Sequence, residues 1–109
     1  MSANSAPDLT ALSPDDAAHA LGLHVVYDDG PARFGPTLLL AALEEGSTVR
    51  LYTRALAELA EEQDLPVESV RLEALAHEVL HAAAASRGLV EDEQSTHERA
   101  REWALAHSL

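Results

Sequence analysis

The chain contains no cysteine and no lysine. Without cysteine there is no disulfide frame and no thiolate metal site, so any metal must be held by His, Asp or Glu. The only cationic side chains besides histidine are seven arginines, set against 19 Asp and Glu, for a net charge of -12. That balance excludes nucleic acid as a natural partner, because binding it needs a basic surface to neutralise phosphates. An anionic membrane surface is repelled for the same reason. No apolar run approaches the roughly 20 residues needed to span a bilayer. The opening MSANSAPDLTALSPDD lacks the charged-then-apolar pattern of an export signal. A cytoplasmic protein is the expectation. Aromatics are scarce too, at 4% of residues. The core must therefore come from Leu, Val and Ala, which suits closely packed helices.

What is present fits one domain: 109 residues, 47% apolar. Residues 1–12 lack periodicity and are expected to form a flexible N-terminal tail, with a single domain over 13–109. SPDDAAHALGL opens a helix, with Ser13 as cap, Pro14 at the first position and Gly22 as stop. LHVVYDDG (23–30) has strand composition, and PARFGP (31–36) is a loop. The first half of TLLLAALEEGSTVRLYT (37–53) can be a short helix ending at Gly46 or a strand pairing through EEGS with TVRLYT; the hairpin is preferred, its second strand marked by alternating Val49, Leu51 and Thr53. RALAELAEEQDL (54–65) is an amphipathic helix ended by Pro66, with Asp64 a candidate cap for the next one. That next helix, VESVRLEALAHEVLHAAAASRG (67–88), has no internal breaker and is apolar on nearly all sides from Leu72 to Ala85, so it should be buried. LVEDEQ (89–94) is an acidic connector. STHERAREWALAHSL (95–109) is a final helix capped by Ser95 or Thr96.

The chemistry lies in HEVLH, residues 77–81. Four residues of helix rise about 6 Å and turn a little over once, so His77 and His81 stand on one face. Each can offer a neutral nitrogen to one Zn²⁺. Glu78, one step round, lies beside such a metal rather than on it. There it can act as general base toward a metal-bound water. The pattern alone arises by chance in roughly three or four shuffled chains of this composition per hundred. Its position in the most apolar helix strengthens it, since three polar groups there need partners.

A catalytic site needs a third ligand. Candidates downstream are Glu91, Asp92, Glu93, His97, Glu98 and Glu102. Glu91, Asp92 and Glu93 fall in the expected connector and are most simply a solvated acidic turn. Glu98 and Glu102 share a face of the last helix. Glu98 is the expected ligand, with Glu102 hydrogen-bonding a ligand histidine. His97 is the rival third ligand, or a donor steadying the oxyanion. Tyr52 is a further candidate for that support. His19, His24 and His107 lack any spacing that groups them with HEVLH.

The order of strand TVRLYT, helix RALAELAEEQDL, proline break, helix VESVRLEALAHEVLHAAAA and helix THERAREWA resembles the minimal gluzincins (minigluzincins). More distantly it is similar to small HExxH peptidases that act on bacterial regulators. HERARE (97–102) resembles the later-helix motif of that family. The resemblance implies Glu98 as ligand and Glu102 as its supporting carboxylate. It also implies an α+β, zincin-like domain: a short mixed or antiparallel sheet of about three strands packed on an active-site helix and a C-terminal helix. TVRLYT would be the exposed strand on which a peptide pairs.

The resulting expectation is a zinc-dependent metallopeptidase acting on peptide or protein substrates, latent or of narrow specificity, as a monomer or small homo-oligomer. Two alternatives have different chemistry: a non-catalytic zinc-binding domain, and an acidic helical protein-interaction module.

Overall fold

The computed structural model describes residues 9–30, 33–34, 37–88 and 92–107. It is a small α+β protein. A short helix α1 (Pro14–Ala20) leads into strand β1 (His24–Asp28). A two-residue pair follows, β2 (Arg33–Phe34) with β3 (Thr37–Leu38). Then come β4 (Ala41–Glu44), β5 (Thr48–Tyr52) and three helices, α2 (Thr53–Gln63), α3 (Val67–Ser86) and α4 (Glu93–His107). The main sheet has the order β1-β5-β4, with β1 parallel and β4 antiparallel to β5.

The expected hairpin is β4–β5. Its turn needs left-handed backbone at two successive residues, Glu45 (φ 54°) and Gly46 (φ 74°), the conformation of tight hairpin turns. The strand TVRLYT differs from expectation in place. It is the central strand, paired on both sides, so it cannot accept an added peptide strand. The edges of the sheet belong to β1 and β4, neither of which has a second strand partner among the described residues. The reason is β1, whose parallel pairing with β5 was not visible in local patterning.

Alternation sorts the sheet's two faces. Val49 and Leu51 are fully buried, and Val25, Ala41 and Leu43 pack beside them against the helices. On the opposite face Arg50 ties all three strands together, donating to Glu44 (3.0 Å) and Asp28 (3.2 Å). The core lies between sheet and helices, with α3 at its centre. Val70, Leu75 and Val79 of α3 meet Leu56 of α2, Ala17 and Ala18 of α1, and Ala100 and Trp103 of α4.

Three caps define the helices. Ser13 Oγ accepts from the Asp16 N–H (3.1 Å), as its sequence suggests. Asp64 does not cap α3. It closes α2 in the left-handed region (φ 55°), which the short polar side chain of Asp tolerates. The α4 cap is Asp92, whose carboxylate accepts from the Ser95 N–H at 2.9 Å, rather than Ser95 or Thr96. The helix therefore starts earlier than expected and takes in Glu93. Thr96 is wholly buried and gives its hydroxyl to the Asp92 carbonyl at 3.0 Å.

The expected tail is described only from Leu9. Leu9–Ala11 make one 3-10 turn, and Leu12 packs on the core, its carbonyl accepting from Trp103 Nε1 at 2.8 Å. Of the loop expected over 31–36, positions 33 and 34 are β2, and the others lie outside the described residues. The acidic residue Glu91 also lies outside them.

A candidate metal centre

α3 and α4 pack antiparallel, the larger residue numbers of one meeting the smaller of the other. His77 and His81 stand a turn apart on α3, as their spacing requires. Their Nε2 atoms lie 3.2 Å apart and their ring centroids 4.7 Å apart. Glu93, in the first turn of α4, faces both. Its Oε1 is 2.7 Å from His77 Nε2 and its Oε2 is 3.2 Å from His81 Nε2. The three residues each place one ligand atom within 4.8 Å of the others.

Two nitrogens bound to one tetrahedral zinc at about 2.0–2.1 Å sit about 3.3 Å from each other. The two Nε2 atoms already hold that separation, with a carboxylate on the same side. The donor set is two imidazoles and one carboxylate, with no sulfur, and it suits zinc among the common divalent ions. The residues present therefore fit a divalent metal at this point.

Glu78 lies beside this group. Its side chain is only 14% exposed, and its Oε2 is 3.9 Å from His77 Nδ1. Burial pushes its carboxyl above the ordinary glutamate range, the charges of His77 and His81 pull it back, and Glu93 adds to the rise. A partly desolvated carboxyl is a stronger base than one in open water.

The other expected site residues are placed differently. Glu98 is not part of the three-residue group. It is exposed on α4 and accepts from Gln94 Nε2 at 3.1 Å. Glu102, one turn further, is exposed as well. The carboxylate that the fold brings to the histidines is Glu93, five positions before Glu98, because Asp92 starts the helix. The pair Asp92-Glu93 carried the signal: a favoured cap residue, then an acid at the positive helix end. His97, one turn after Glu93, turns toward α3 and sets its ring edge-on to His77, centroids 6.1 Å apart. Tyr52 ends β5 and precedes α2, and its backbone N–H donates to the Leu40 carbonyl at 3.0 Å. It does not line the cleft described next. His19 and His24 are exposed, and His107 holds its Nε2 3.2 Å from the Thr10 carbonyl.

A cleft of about 580 Å³ opens beside His77 and His97, between α2, α3 and α4, with Leu40 at its sheet end. Among the described residues, no helix is long and apolar enough to cross a membrane. No protein family, curated protein or solved structure matches the chain, so its functional reading rests on these residues.

Proposed function

We propose that the chain is a zinc-dependent metallopeptidase of the minigluzincin-like kind, with His77, His81 and Glu93 as metal ligands and Glu78 as general base. The observation that carries this reading is the convergence of His77 Nε2, His81 Nε2 and the Glu93 carboxylate beside a largely buried Glu78. A zinc ion bound there would lower the pKa of a coordinated water and polarise a peptide carbonyl.

The chain's own groups have separate tasks. Glu78 takes a proton from the attacking water and delivers it to the leaving amine. Burial keeps its carboxylate poorly solvated, which sharpens its basicity. His97, edge-on to His77 and lining the cleft, is placed to donate a hydrogen bond to a carbonyl oxygen as negative charge builds there. The free edge of β4 offers an extended peptide backbone pairing, and Leu40, the residue before β4, lines the cleft. The zincin-like character of the domain belongs to the same proposal.

Glu78→Gln tests it. The amide keeps the shape and leaves the three ligands untouched, so zinc should stay bound near one per chain. Peptide cleavage should fall by about 100-fold or more. Equal cleavage by both proteins would remove Glu78 from the mechanism, and wild-type protein that binds zinc but cleaves nothing would leave a non-catalytic metal domain.

A further inference from the structure

The α3–α4 seam continues past the metal group as a series of facing residues, one helical turn apart. Glu93 faces His77 and His81, and His97 faces His77. One turn on from His97 is Arg101, and one turn back from His77 is Glu73, and both line the cleft. Each step is about 6 Å along the helix axes.

Besides these two charges, the two imidazoles, Gln63 and Ser69, the lining of the cleft is apolar. Leu40, Leu59, Val70, Ala74, Ala104 and Leu105 form its walls. Leu65 and Leu105 line it while 47% and 59% exposed. Large aliphatic side chains open to water around a concavity mark a place where an apolar group is received. The volume lies within the roughly 300–1,000 Å³ of small-ligand sites.

Arg101 and Glu73 border the same space without pairing. Neither side chain makes an ion pair or hydrogen bond with any described residue. Arg50 and Arg71, by contrast, are each satisfied by two carboxylates. In a chain of net charge -12 an arginine in a cleft that meets no acid is available to one brought by a ligand.

We propose that this cleft is the specificity pocket of the site. It receives peptides that carry a bulky aliphatic or aromatic side chain beside the reacting bond and a carboxylate about two residues further on, bound by Arg101. The two-residue spacing follows from the ruler on the seam. One helical turn from His97 to Arg101 is about 6 Å, and an extended peptide advances about 3.3 Å per residue. Glu73 on the α3 wall repels an acid placed on its side, so the carboxylate is taken from the α4 side. The carboxylate can come from an acidic side chain or from the peptide's own C-terminus. The inference rests on the peptidase reading for its choice of a peptide ligand.

Binding can be separated from cleavage with zinc-loaded Glu78→Gln protein and fluorescein-labelled peptides read by anisotropy at low salt. The parent probe is Gly-Gly-Leu-Gly-Glu-amide. Its relatives replace Leu by Ser, replace Glu by Gln, or end Gly-Gly-Leu-Gly-Gly with a free acid. The Glu peptide should bind about two- to fivefold more tightly than the Gln peptide, as for a solvent-accessible arginine–carboxylate pair. Adding Arg101→Gln should abolish that preference and leave the preference for Leu over Ser, about tenfold, in place. Tightening by the free acid rather than the Glu side chain supports the same pocket and identifies a peptide end as its ligand. Equal Glu-to-Gln ratios with and without Arg101, equal binding of Leu and Ser peptides, or no binding of any peptide at 1 mM (about the weakest affinity of interest) would overturn the proposal. Wild-type protein then decides the parent reading independently. The expected binding pattern without cleavage retires the peptidase and keeps the pocket, whereas cleavage indifferent to Arg101→Gln keeps the peptidase and retires the pocket.

Discussion

Glu93 places one carboxylate oxygen 2.7 Å from His77 Nε2 and the other 3.2 Å from His81 Nε2. An amide at that position offers a cation one neutral oxygen in place of a charged carboxylate. Glu93→Gln should therefore weaken zinc binding by at least about 100-fold, more than the loss of an outer hydrogen-bonding partner costs. Glu98→Gln, five residues away and engaged with Gln94, should leave the affinity within about threefold of wild type, the ordinary scatter of surface changes. Competition against a chromogenic chelator measures both. Equal losses for the two variants would return Glu98 to the ligand set. The side chain of Glu93 is 70% exposed, so neither substitution opens a hole in the core and both proteins should fold.

Elements place these residues, and the start of α4 is the decisive one. Asp92 accepts from the Ser95 N–H and satisfies a donor that the helix itself leaves open. Asp92→Ala should cost about 1 kcal/mol in denaturant unfolding. It should also weaken zinc binding, because Glu93 is held by the turn that Asp92 caps; unchanged zinc affinity alongside the lost stability would show that the cap does not position the ligand. At the other end of the site α3 is locked to α1 and β1 by Arg71, which donates to Asp15 (2.9 Å), Glu68 and the Tyr27 hydroxyl. The hydrogen bond from Arg71 holds the Asp15 carboxyl below the ordinary aspartate range, partly opposed by burial. Between that lowered value and the usual one near 3.8 the unfolded chain binds the extra proton, so stability rises with pH there. The contribution is whole above the usual value and is lost as pH falls through the lowered one. Asp15→Asn should flatten that part of the acid-unfolding curve. At neutral pH it should cost at most about 1 kcal/mol, since Asp15 is 47% exposed and the pair is screened.

How much of this was legible follows from which signals were local. HEVLH on an unbroken apolar helix fixed two imidazoles and Glu78 in one place, because helix geometry depends on nothing distant. The Ser13 cap, the turn at EEGS and the end of α3 before Gly88 were equally local. The carboxylate that joins the imidazoles was not, because three residues within five positions, Asp92, Ser95 and Thr96, are all good caps. Which one wins depends on Thr96 being buried against α3 and giving its hydroxyl to the Asp92 carbonyl. That contact is tertiary, and with the earlier helix start the carboxylate beside the two histidines is Glu93 and not Glu98. The central place of TVRLYT escaped for a similar reason. Its pairing with β1 joins residues 24 apart, such as His24 and Thr48, and nothing in either segment names the other.

On the scale of the whole molecule the candidate metal group joins α4 to α3, the helix at the centre of the core, and with a metal bound it would act as a clamp between them. α4 holds more than Glu93. Trp103 Nε1 donates to the Leu12 carbonyl, and His107 lies against the Thr10 carbonyl, so the described N-terminal turn is fastened to the same helix. A domain of 109 residues with 4% aromatics has modest core energy in reserve. A ligand bound only by the folded state adds its own binding free energy to that reserve, about 2.7 kcal/mol when present at 100 times its dissociation constant. For a domain of this size that corresponds to a rise in melting temperature of about 10–20 °C. Differential scanning fluorimetry with increasing zinc should show this rise, and a chelator should reverse it. Glu93→Gln should melt near the metal-free wild type and respond little to the same zinc concentrations. The N-terminal turn should be protected from protease together with α4, since both depend on the clamp. If zinc leaves the melting temperature of the wild type unchanged while the protein is demonstrably folded, the three residues are an ion-paired contact between helices and not a metal centre.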